Sequence, residues 1–99
     1  MIGPLDAHAR YDIGSISAAV GDVGLARAEA DTILKAQPKH LLGLVLAIRA
    51  AELSKDPAAA ARFRQRLAAA APAERATGLK EYGEHSRDID DALKKVGAP

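Results

Sequence analysis

Ninety-nine residues make one small domain, with a core near the lower end of what a single chain can support. The chain is 48% apolar but only 3% aromatic, so alanine supplies much of that and favours close helix–helix approach over a thick aromatic core. A net charge of +1 lacks the basic stripe that nucleic acid requires, and the absence of cysteine excludes a disulfide framework and a thiolate zinc site.

No run alternates apolar and polar residues over a strand's length, and an all-α domain is expected. The lead-in Met1-Ile2-Gly3-Pro4 is short and irregular. Asp6 then stands as an N-cap before Ala9, Ile13, Ile16, Ser17 and Val20, which recur at helical spacing. Gly21-Asp22 closes this first helix and opens a second, over about Val23 to Ala36, with Ala26, Ala30, Ile33 and Leu34 inward. Gln37-Pro38 stops it.

A third helix, roughly Lys39 to Leu53, is apolar almost all the way round, which predicts burial on several sides at the centre of the fold. Asp56-Pro57 caps and starts a fourth, expected to end near Ala70 before Pro72. Its other face carries Arg62, Gln65 and Arg66, an ordinary solvated surface. Leu79, Tyr82, Ser86, Ile89, Leu93 and Val96 mark one last amphipathic stripe, in one helix or in two broken near Gly83–Ser86.

The two halves share a register. Asp22, Ala26, Ile33, Ala36 and Pro38 recur thirty-four residues later as Asp56, Ala60, Leu67, Ala70 and Pro72. A fixed period of this length is the signature of stacked helix–turn–helix units, each burying its apolar face only against the next. The chain resembles the tetratricopeptide repeat (TPR) family on these residues. Ile13-Gly14, Ala26, Ile33 and Pro38 match the family's pattern in the first repeat, and Ala47-Ile48, Ala60, Leu67 and Pro72 in the second. Its leading Trp is replaced by Arg10 and Leu44, and its aromatic sites by Ser17, Ala30, Ala51 and Arg64.

The resemblance implies a short right-handed helical-repeat solenoid of two TPR-like hairpins, at residues 7–40 and 41–74, capped by residues 75–97. An unrelated alanine-rich bundle is the alternative. The resemblance also implies a concave peptide-binding groove. Its lining would be His8, Tyr11, Asp12, Ser15 and Ala19 from the first repeat, with Leu42, Val45, Leu46, Arg49, Glu52 and Leu53 from the second. Leu42, Val45 and Leu46 would form an apolar floor suited to an apolar peptide or amphipathic helix. Tyr11 and Arg49 would be its anchors. Equally, the C-terminal stripe could fold over that floor and make it core.

Catalytic chemistry is not indicated. The serines have no His–Asp arrangement to activate them, and the glycines form no phosphate loop. His8, His40 and His85 lie far apart without helical metal-pair spacing and read as solvated or packing residues; Asp88, Asp90 and Asp91 read as structural charge near a helix N-terminus. The expectation is a non-catalytic protein-interaction module with no cofactor or metal, no nucleic-acid partner and no membrane insertion by this segment. The alternatives are a self-assembling structural module (Ile16 would face a preceding repeat) and a soluble piece of a longer, membrane-anchored TPR protein. The compartment would be cytoplasmic or, for such a piece, periplasmic.

Overall fold

A computed structural model describes residues 6–96 and, among them, six helices and no strand, which bears out the all-α expectation. Residues 1–5, which include the whole irregular lead-in, residues 97–99, and the side chains of Lys95 and Val96 lie outside the described residues. The helices are α1 (Ala7–Ala19), α2 (Val23–Ala36), α3 (Leu41–Leu53), α4 (Pro57–Ala76), α5 (Lys80–Glu84) and α6 (Ser86–Val96).

Three aspartates start three of them. Asp6, Asp22 and Asp56 accept hydrogen bonds from the backbone N–H groups of Ala9 (2.8 Å), Leu25 (3.1 Å) and Ala59 (3.1 Å), satisfying donors that no helical carbonyl can reach. The turns between α1 and α2 and between α3 and α4 share their principal backbone bonds. Asp22 N–H donates to the Ser17 carbonyl at 2.8 Å, and Asp56 N–H to that of Ala51 at 2.9 Å. Gly21 N–H donates to Ala18 and Lys55 N–H to Glu52, both at 3.1 Å. All four residues of the second turn lie thirty-four positions beyond those of the first. Each turn needs one left-handed residue: Gly21 has φ +87°, and Lys55 takes the same role at φ +57° with a side chain attached.

Helix α3 is surrounded by α1, α2, α4 and α6, the reason its sequence is apolar all round. Every residue from Leu41 to Ala51 except Arg49 is buried. Close approach is secured by glycines. A Cβ on Gly14 of α1 would collide with Leu46 of α3, and one on Gly43 of α3 would lie 2.6 Å from Ile33 Cγ2 and 2.9 Å from Leu34 Cδ2 of α2.

The fourth helix ends later than expected, whereas the C-terminal segment takes the two-helix form of the two expected. The fourth helix continues through Pro72 to Ala76, across the expected limit between second repeat and cap. Proline removes one helical hydrogen bond, but the added turn compensates through the partners it reaches. Glu74 accepts from the Tyr82 hydroxyl at 2.7 Å, and Arg75 donates to Asp90 at 2.6 Å. The C-terminal segment is two helices, parted at His85.

Candidate functional site

Tyr82, Ile89 and Ala92 of the C-terminal pair are buried in the same apolar cluster as Leu42, Val45 and Leu46. The Tyr82 hydroxyl accepts from Leu41 N–H at 3.2 Å, which fixes α5 against the first turn of α3. His40 is buried just before that turn, with Nε2 2.9 Å from Glu81 Oε2 and its ring edge-on to Tyr82. The covered alternative thus describes the arrangement of this floor: Leu42, Val45 and Leu46 are core in this structure.

Tyr11 is core as well. It is 1% exposed, and its hydroxyl donates to Asp88 Oδ2 at 2.7 Å. Burial, and then this bond to a carboxylate, hold its phenol well above the ordinary tyrosine pKa. Such a residue is a packing anchor, and truncating it would alter stability before any surface contact. Arg49 is half-buried in a cleft of about 90 Å³ shared with Glu52, Asp88 and Asp91. Glu52 is exposed and pairs with Arg64 of α4, an ion pair not anticipated from the sequence. Ser15 is half-buried, while Ala19 and Leu53 are exposed. The predicted groove residues therefore separate into a closed floor and a thin polar and apolar rim.

An apolar surface does remain open, and it lies on α1. Ile13, Ile16 and Val20 recur at helical spacing and are 36%, 67% and 76% exposed. Their meaning comes from the repeat register. Ala47 and Ala50 occupy the positions of Ile13 and Ile16 in the second unit, where they are 4% and 2% exposed. They meet α2 in a crevice lined by Arg27, Ala30 and Asp31. Equivalent positions are covered by α2 in the second unit and are open on α1 among the described residues.

The residues that sequence reading missed as a group are His8, Asp12 and His85. The first two share a face of α1, while His85 arrives from the joint between α5 and α6. Linear spacing carries no signal for such a meeting; only the placement of the C-terminal pair creates it. Among the described residues, no helix is long and apolar enough to cross a membrane. No family model, characterised protein or solved structure matches the chain.

Proposed function

We propose that this chain is a non-catalytic protein-interaction module of the TPR-like helical-repeat kind, and that its contact surface is the outer stripe of α1. The observation that carries this reading is the contrast between Ile13 and Ile16 and their buried counterparts Ala47 and Ala50. An apolar stripe at helical spacing is complementary to another amphipathic helix, because such a helix can repeat the packing that α2 makes on α3. The partner helix comes from another protein or from a second copy.

The test is a photo-crosslinking amino acid at position 16, with position 62 on the exposed face of α4 as reference. A discrete protein adduct from position 16 that is lost in Val20→Asp is the expected result. Adducts from position 62 but none from position 16 would reject the α1 surface.

A second reading retains the groove. Helix α6 is itself amphipathic, with Ile89 and Ala92 turned to the core beside exposed Asp90 and Asp91, so it occupies α3 as a helical ligand would. In this reading α5 and α6 swing away at Gly78, which has φ +73°, and an external helix takes their place. A peptide of residues 79–96 that binds a chain ending at Gly78 would support it; failure of that peptide to bind a folded truncated chain would count against it.

A further inference from the structure

We propose that His8, Asp12 and His85 form a binding site for a divalent transition-metal ion, with zinc the best fit, that clasps α1 to the joint between α5 and α6. One nitrogen or oxygen from each residue lies within 4.8 Å of the others. The two Nε2 atoms are 3.0 Å apart, His85 Nε2 is 3.5 Å from Asp12 Oδ1, and His8 Nε2 is 3.7 Å from Asp12 Oδ2. Ligand atoms bound tetrahedrally to zinc at its usual bond lengths stand about 3.3 Å from one another. Asp12 turns a different oxygen to each imidazole, so the three side chains stand close to ligand spacing, and a rotation of the carboxylate would complete a coordination triangle. Glu84 Oε2, 3.4 Å from His8 Nε2, is a further carboxylate oxygen beside His8.

The donor set favours this class of ion. Two imidazoles with a carboxylate suit zinc, nickel or copper, whereas magnesium and calcium prefer oxygen alone. Without a cation, two facing Nε2 atoms can share only a single hydrogen, a poor use of two ring nitrogens among three carboxylates. The surroundings also prepare His85 as a ligand. Its Nδ1 lies 3.5 Å from Asp88 Oδ2, which favours the tautomer that leaves the Nε2 lone pair free. Asp88 is in turn held by the buried Tyr11 hydroxyl at 2.7 Å. This is a carboxylate behind a metal-facing histidine, itself oriented by a further hydrogen bond. His8 and His85 side chains are 32% and 23% exposed, so an ion can reach them from solvent.

The ligands come from opposite ends of the chain, seventy-seven positions apart, so metal binding and docking of the C-terminal helices are linked. The site shares α1 with the apolar stripe but uses none of the stripe's residues, and it does not depend on the proposed function.

The test uses the full chain without an affinity tag. Titration with zinc followed by calorimetry should give one ion per chain, reversed by a chelator, and cobalt should give the visible absorption of a tetrahedral site. His8→Gln and His85→Gln should each abolish binding, and Asp88→Asn, which keeps an acceptor for Tyr11, should weaken it about 10- to 100-fold. Asp31→Asn, an exposed acid elsewhere, should bind as the parent does. Circular dichroism checks the fold of each variant; should His85→Gln unfold, His8→Gln on the surface of α1 decides. Zinc should slow amide exchange in α5 and α6 of the parent and of Asp31→Asn, and not in the histidine variants. No saturable binding by the parent, binding retained in the histidine variants, or zinc binding without slower exchange in α5 and α6 would each overturn the clasp.

Discussion

Lys55 shows how one residue can be read from its role in a turn and still carry a cost. Its φ of +57° is a conformation that a Cβ disfavours, while Gly21 meets the same requirement freely. Lys55→Gly should therefore stabilise the domain by about 0.5–1 kcal/mol, seen as a higher denaturation midpoint. Tyr11 is the reverse case. Its aromatic size suggested an anchor, yet the partner it anchors is Asp88 of its own chain. Tyr11→Phe leaves the ring packed and removes a hydrogen bond to a carboxylate, so a loss of about 1.5–3 kcal/mol is expected in urea unfolding. Tyr11 and Tyr82 also set an alkaline limit. Burial, with carboxylate partners Asp88 and Glu74, raises both phenols above the ordinary 10.0. Their contribution is complete below that pH and is lost as pH rises above it, because the unfolded chain releases these protons first. A melting temperature that falls above that pH in the parent, and falls less in Tyr11→Phe, is the expected profile.

At the scale of elements, the helix starts and turns were the most legible features. Asp6, Asp22 and Asp56 act through side-chain bonds within three residues, an interaction that sequence displays directly. The end of α4 was hidden because its continuation through Pro72 depends on Tyr82 and Asp90, which meet it only in the folded state. Pro72 is exposed, so Pro72→Ala should raise stability by up to about 3 kcal/mol by restoring a helical donor. Glycines inside helices separate by what surrounds them. A Cβ on Gly24 would meet only Asp22 Oδ1, at an ordinary 3.8 Å, so Gly24→Ala should be neutral or stabilising. Gly43→Ala would force Ile33 and Leu34 apart; overpacking costs of about 1–3 kcal/mol outweigh the gain in helix propensity. Thermal melts should rank Gly43→Ala below the parent and Gly24→Ala at or above it.

At the scale of the molecule, the thirty-four-residue offset anticipated the paired turns, and the apolar circumference of α3 anticipated its central place. Leu44→Asp or Ile48→Asp should accordingly unfold the domain, since either puts an unpaired charge inside a helix packed on four sides. A retained circular dichroism spectrum and melting temperature would contradict that placement. The candidate surface was less legible, because nothing local says whether α6 lies over α3 or leaves it open.

The closure by α6 has a consequence for polarity. Ile48 of α3 is the counterpart of Gly14, the residue on α1 that meets the next unit, yet here it is buried beside the Ala92 cleft instead of facing outward. Among the described residues, one edge thus exposes apolar side chains, at Ile16 and Val20, and the other is covered by α6. Head-to-tail addition needs two complementary edges, and a ring or filament cannot grow from units that offer one. Copies that meet through the α1 edge can therefore only face one another across a two-fold axis, and assembly ends at the pair.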